Sequence, residues 1–176
     1  MTIVTYTSAH ASAFEQLNRQ WLEDTGLIEA ADEWELANPE EAYLRPGGTI
    51  LVAEVDGVAV GFCALRPFDA SAMELLKLVV DPSSRRGGIA RRLVETCIRI
   101  TRDSGREWLV LTSNSRLTAA LRLYEWFGFR YREVPTSVSA RYKTADVFME
   151  LRVSGSSADA PSASSTPIRQ GSKPRK

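Results

Sequence analysis

The sequence predicts one domain of the α/β (α+β) class over residues 1–152, followed by a disordered tail over 153–176. Three observations carry this. Apolar, β-rich runs crowd the stretch from Thr49 to Val80, and the first two flank Asp56-Gly57, a strong hairpin signal. Two later segments place apolar residues at three- and four-residue steps and each stops at a glycine. After Val153 the composition collapses to Ser, Ala, Pro and Gly with a few charges, which cannot bury enough apolar area to offset the entropy of ordering.

Ile3-Val4-Thr5-Tyr6 reads as a short first strand. A helix follows, with Phe14, Leu17, Trp21 and Leu22 on one face, Ser8 or Ser12 as its cap and Gly26 as its stop. A weaker helix covers Asp32 to about Asn38, where Pro39 and then Pro46-Gly47-Gly48 are expected to break the chain. Strands follow at 50–55, 58–65 and 74–80, the last stopped by Asp81-Pro82. Ile89, Ala90, Leu93, Val94, Cys97 and Ile98 form one apolar helical stripe, closed by Gly105. A strand at 108–112, a helix at 117–127 ending at Gly128, and β-like runs at 129–134 and 147–151 complete the domain.

Composition excludes several classes. Basic and acidic residues balance at 22 each, so no nucleic-acid partner is expected. The tail carries a net +3 and the body a compensating −3. No apolar run reaches the roughly 20 residues that cross a bilayer, so no membrane association is expected. Met1 to His10 lacks a basic region followed by an apolar stretch, so no secretory signal is expected and the expected location is cytoplasmic. Cys63 and Cys97 sit in apolar surroundings and read as two buried thiols. With one histidine, His10, and no paired cysteine motif, no metal site is expected.

The most informative segment is Val79-Val80-Asp81-Pro82-Ser83-Ser84-Arg85-Arg86-Gly87-Gly88-Ile89-Ala90. A strand ends, a short loop turns, and a helix begins at two glycines. Glycines let main-chain N–H groups approach a ligand closely. The helix N-terminus adds about half a positive charge. Together with Arg85, Arg86, Arg91 and Arg92 they make a cradle suited to a diphosphate. The spacing is neither that of a P-loop nor that of a dinucleotide fingerprint.

Arg85-x-x-Gly88-x-Ala90 resembles the Gln/Arg-x-x-Gly-x-Gly/Ala signature of the GNAT (GCN5-related) N-acetyltransferases. Ala119-Ala120-Leu121-Arg122-Leu123-Tyr124-Glu125-Trp126-Phe127-Gly128-Phe129 resembles that family's Ala-x-x-Leu-Tyr-x-x-x-Gly-Phe segment. The resemblance covers roughly residues 2–152. It implies a mixed, mostly antiparallel central sheet flanked by helices and splayed at a CoA cleft. It implies acetyl-CoA as co-substrate and an amine as acceptor, with direct attack in a ternary complex and no metal. Leu78, Val79 and Val80 would pair with the pantetheine arm, and the amides of Arg86, Gly87, Gly88, Ile89 and Ala90, beside Arg85, would hold the pyrophosphate. A main-chain N–H near Val79 or Val80 would polarise the thioester carbonyl.

Tyr124 matches the family tyrosine that faces the CoA sulfur and would protonate the departing thiolate; packing is the plainer reading of a helical aromatic. Glu74 is the first candidate for general base. It lies six residues before Val80 and so falls on Val80's face by the two-residue period of a strand. A solvent-facing glutamate is the equally weighted alternative. Two family positions depart from the pattern, where this chain has Thr112 and Leu117; Asn114 is the residue available to replace a lost hydrogen bond near the cofactor. Trp21, Trp34, Tyr43, Arg66, Lys77 and Tyr142 are candidate acceptor contacts, against packing or simple solvation. A small-molecule amine is the expected acceptor. A protein N-terminus or lysine, a non-catalytic acyl-CoA sensor and a partner-binding role for the tail are the alternatives. Monomer and homodimer both fit the sequence.

Overall fold

The computed structural model describes residues 1–85 and 87–153. Arg86 and residues 154–176, almost all of the expected disordered tail, lie outside the described residues. A seven-stranded sheet runs in the order β1-β2-β3-β4-β5-β7-β6. Its strands are β1 (Thr2–Thr5), β2 (Thr49–Val55), β3 (Val58–Pro67), β4 (Ala72–Val80), β5 (Trp108–Ser113), β6 (Arg130–Arg132) and β7 (Val147–Arg152). Only β4 and β5 pair in parallel; every other neighbouring pair is antiparallel. The fold is therefore the mixed, mostly antiparallel sheet that the sequence motifs implied.

Local chemistry sets the elements. Asp56 and Gly57 both adopt positive φ, 52° and 78°, as a tight two-residue hairpin between twisted strands requires. Helix α1 (Ala11–Thr25) buries Phe14 and Leu22 and stops at Gly26, which is left-handed at φ 65°. Helix α2 (Ala30–Ala37) starts where the Asp32 carboxylate accepts from the Glu29 N–H at 3.0 Å. As expected, α2 ends just before Pro39, with Asn38 outside helical geometry, but Pro39 does not leave the chain extended. It opens a further turn over Glu40–Leu44, because proline at a helix start forfeits no hydrogen bond. Helices α3 (Ile89–Asp103) and α4 (Thr118–Trp126) follow the sequence stripes. Helix α5 (Thr136–Arg141) was not expected; it buries one residue, Val138, and so writes no apolar period.

The sheet separates two cores. Leu51, Cys63, Leu65, Leu75 and Val80 meet Leu93, Val94 and Cys97 of α3 and Leu121 of α4. On the opposite face Ile50, Val52, Phe62 and Val79 pack against Phe14, Leu22 and Leu36 of α1 and α2. At 25 cal/mol per Å2, each large side chain fully buried in either core contributes about 1.5–3 kcal/mol. Cys63 and Cys97 are both fully buried, with Sγ atoms 3.5 Å apart, and burial pushes the Cys63 thiol up.

One irregularity matters for the site. Phe62 stands opposite Val79 and Ala64 opposite Leu76, so β4 uses three steps where β3 uses two. The extra residue is a β-bulge, with Lys77 at φ 50°. An inserted residue inverts the alternation beyond it. Glu74 therefore shares the α1–α2 face with Val79, while Val80 faces α3. The expectation that Glu74 and Val80 lie on one face is corrected by this bulge.

Candidate functional site

The strands β4 and β5 pair from Ala72–Trp108 to Leu75–Leu111 and then part. Beyond Leu75 the edge of β4 that turned toward β5 faces no strand, so its main-chain groups short of the Val80 carbonyl are open to a ligand. A cavity of about 140 Å3 occupies this opening. Leu76, Lys77 and Leu78 form one wall, Thr112, Ser113 and Asn114 the other, and Leu117, Ala120 and Tyr124 of the α4 segment close the side. Trp21, Leu27, Glu29 and Asp32 line it from the α1–α2 side, and Tyr142, Thr144 and Ala145 from the segment after α5.

At the far end of β4, α3 begins at Gly88, which is left-handed at φ 74° and caps the helix with no side-chain hydrogen bond. The first-turn N–H groups of Ile89, Ala90 and Arg91 have no partner among the described residues. Gly61 brings the strand beneath them: a Cβ there would lie 3.1 Å from the Val79 carbonyl oxygen and 3.2 Å from Ile89. Arg85 folds back and donates through Nε to the Val80 carbonyl at 3.2 Å, which braces the loop. An uncapped 15-residue helix whose N-terminus adjoins an unpaired strand edge fits an elongated ligand with a diphosphate in its middle.

Tyr124 is 6% exposed. Burial, with the neighbouring Cys63 and Cys97 thiols, pushes its phenol well above the ordinary value, so it stays protonated at neutral pH. Asn114 reaches the cavity wall, but its amide also braces the loops: Nδ2 donates to the Thr144 carbonyl at 2.6 Å and Oδ1 accepts from the Arg116 N–H at 3.0 Å.

Glu74 lies elsewhere. Its carboxylate accepts from Arg66 Nε at 2.9 Å and pairs with Nη2 at 2.8 Å. It lines a separate cavity of about 230 Å3 with Phe68, Ser137, Val138 and Arg141. Between the two cavities stands a residue that the sequence reading missed. Glu35 is fully buried and accepts from Arg66 (2.9 Å), Tyr43 (3.0 Å) and Tyr142 (2.7 Å), with Arg141 at 2.5 Å and Lys77 at 3.1 Å. Lys77 also pairs with Asp32. Arg66, Lys77 and Arg141 thus balance Glu35, Glu74 and Asp32 charge for charge. Burial would raise the Glu35 carboxyl, but the Lys77 and Arg66 charges and the Tyr142 hydrogen bond outweigh it and hold its pKa at about 2. An acid that strong is no base at neutral pH. Tyr43 is fully buried in this knot and Trp34 is half exposed, so neither lines the main cavity.

The mouth of the main cavity is strapped. Glu29, between α1 and α2, accepts from the Lys143 N–H at 2.7 Å, the Thr144 N–H at 2.8 Å and the Thr144 hydroxyl at 2.7 Å. Burial would raise the Glu29 carboxyl, yet these donors hold it below its ordinary value. Ser115 donates twice to Asp146, at 2.7 and 2.6 Å, and Arg116 donates to the Thr25 carbonyl at 3.3 Å. Three loops are laced together over the opening.

The strand pair parts near the uncapped start of α3, and Tyr124, a buried protonated phenol, lines the opening. The profile of the acetyltransferase (GNAT) family matches residues 11–129, and the chain belongs to that family. It is 34% identical over 125 residues to an uncharacterized N-acetyltransferase of Schizosaccharomyces pombe, covering 68% of this chain and 76% of that one. It is 29% identical over 115 residues to N-acetyltransferase family 8 member 2 of Rattus norvegicus, covering 62% of this chain and about half, 51%, of that one. Its fold is similar to a GNAT acetyltransferase of Staphylococcus aureus (TM-score 0.78, 21% identity, 87% of this chain and 99% of that one). It is also similar to a putative acetyltransferase of Salmonella typhimurium solved with acetyl-CoA (TM-score 0.67, 24% identity, 92% and 98%). Among the described residues no helix is long and apolar enough to cross a membrane.

Proposed function

We propose that this chain transfers the acetyl group of acetyl-CoA to a small-molecule amine by direct attack in a ternary complex. The observation that carries the reading is the joint one: the unpaired edge of β4 beyond Leu75 and Tyr124 line one cavity, and the uncapped start of α3 follows the end of that same strand. The pantetheine arm lies along Leu76–Val80, and the pyrophosphate rests on the amides of Gly88 to Arg91. As the amine nitrogen bonds to the acyl carbon and the C–S bond breaks, Tyr124 gives its proton to the departing thiolate; the nitrogen's surplus proton passes to water and Tyr124 is reprotonated from solvent. A phenol kept neutral by burial is suited to that task, since it loses its proton only to a strong base formed beside it. Positioning of the two reactants supplies much of the rate.

Asp32 lines the α1–α2 side of the cavity with its charge already met by Lys77. Glu74 serves as a positioning group that holds Arg66 and is not the base in contact with the amine. A small acceptor is favoured because Glu29 and its three donors tie together the two loops that border the opening. An extended peptide would have to part them. The test is release of free thiol from acetyl-CoA with a panel of small amines and of peptides bearing free N-termini and lysines. Turnover with at least one small amine and none with peptides is expected. Turnover confined to peptides would overturn the acceptor assignment, and the absence of thioester cleavage with every amine and peptide would overturn the enzyme.

A further inference from the structure

Four charged side chains alternate in sign beside the second cavity, in the chain Glu74–Arg66–Glu35–Arg141. The middle of the chain is spent. Arg66 gives Nε and Nη2 to Glu74 and Nη1 to Glu35, and Glu35 is fully buried. The two ends are not. Glu74 is 3% exposed and accepts only at Oε2; its Oε1 has no hydrogen-bond partner among the described residues, yet it is not sealed from solvent. Arg141 gives Nη2 to Glu35, and its Nε and Nη1 have no hydrogen-bond partner among the described residues. Both ends line one cavity of about 230 Å3, with Phe68 and Val138 as its apolar wall. A carboxylate oxygen held this deep gains from a donor that the protein itself does not supply.

Charge decides what fits. The knot around Glu35 is already neutral, with Arg66, Lys77 and Arg141 against Glu35, Glu74 and Asp32. A lone carboxylate or a lone ammonium would leave it charged, and an uncompensated charge in a buried place is costly. A zwitterion would not. Its ammonium donates to Glu74 Oε1, its carboxylate accepts from the Arg141 fork, and both bonds are charge-assisted. The acceptor cavity lies close by. Glu74 and Leu76 share one face of β4, two residues and about 7 Å apart, and Leu76 lines the main cavity. Tyr142 is a wall of both cavities. A molecule with its zwitterion at Glu74 and Arg141 and a flexible stem past Tyr142 brings a second amine to the main cavity.

We infer that Glu74 and Arg141 form the subsite for the α-ammonium and α-carboxylate of a free diamino acid whose side-chain amine is the acceptor. This rests on the acetyl-transfer reading above and narrows its small amine to one class. The α-nitrogen keeps its proton in the ion pair with Glu74 and so has no lone pair to attack. The side-chain nitrogen, once neutral, attacks the acyl carbon, loses its surplus proton to water and carries the acetyl group away.

Thiol release from acetyl-CoA by the full chain tests it, with L-lysine and L-ornithine each set against its decarboxylated diamine and its α-deaminated ω-amino acid. The diamine lacks the carboxylate and the ω-amino acid lacks the α-ammonium. At least one diamino acid should show kcat/KM about tenfold above both of its analogues, and mass spectrometry should place the acetyl group on its side-chain nitrogen. Arg141→Gln should erase the advantage over the diamine, and Glu74→Gln the advantage over the ω-amino acid, each through KM with kcat little changed. Ser137→Trp fills the cavity from an exposed position of α5, outside the ion chain, and should lose both advantages. Circular dichroism melts of each variant check that the fold holds. Equal kcat/KM for the diamino acids and their analogues, an acetyl group on the α-nitrogen, or an undiminished preference in folded Arg141→Gln or Ser137→Trp overturns the subsite alone, with amine turnover standing. No thiol release with any amine overturns the acetyl-transfer reading and the subsite together.

Discussion

Replacing Glu35 by Gln keeps its shape and removes one charge from a fully buried knot. Arg66, Lys77 and Arg141 would then face only Glu74 and Asp32. The size of the effect follows from the carboxyl itself. Its pKa falls from an ordinary 4.5 to about 2 on folding. At about 1.4 kcal/mol per tenfold change in acid strength, the charged form adds about 3 kcal/mol. That is within the range of about 3–5 kcal/mol for removing one partner of a buried ion pair. For a domain of this size it should lower the melting temperature by about 6–12 °C. The sign with pH is also fixed. A depressed carboxyl stabilises fully above its unfolded value of 4.5 and loses that contribution as pH falls toward 2. Urea unfolding of both proteins between pH 7 and pH 3 measures it. A gap of about 3 kcal/mol at pH 7 that narrows below pH 4.5 is expected. A gap that is absent at pH 7, or that stays constant with pH, would refute the reasoning.

Two further substitutions separate chemistry from architecture. Tyr124→Phe should lower kcat by about a hundredfold, the low end for removing a proton donor, with CoA affinity unchanged in calorimetry; unaltered kcat would remove Tyr124 from the reaction. Glu74→Gln should destabilise the fold by about 1–3 kcal/mol, since Arg66 keeps Glu35 but loses a buried partner, while kcat and its pH profile change little. A shifted acid limb of that profile would restore Glu74 as the base.

Much of this was legible in the residues. The Asp56-Gly57 hairpin, the α3 and α4 stripes and the Gly87-Gly88 loop each rest on short-range rules of turn geometry and period, and those rules act on neighbours in the chain. The same locality explains what was missed. The run Leu75-Leu76-Lys77-Leu78 offers apolar residues to both faces, so nothing in it marks the extra residue that inverts the alternation at Lys77. Glu35 gathers partners 31, 106 and 107 residues away, and a charged residue in a weak helix reads by itself as solvated. Tyr142 and Arg66 were singled out as acceptor contacts. Both are committed to that knot, and of the two only Tyr142 also lines the main cavity. The Glu29 strap was invisible because its donors are main-chain N–H groups, which every residue but proline carries.

The central claim is that the amides at the start of α3 hold the diphosphate of acetyl-CoA. Its most direct measurement is calorimetric titration with acetyl-CoA of the natural chain and of Gly88→Glu, which puts a carboxylate at a left-handed position in the cradle. Saturable binding to the first, and at least a hundredfold weaker binding to a still-folded second, is the expected result. Equal affinity in the two, or no saturation of the natural chain at millimolar ligand, would contradict it.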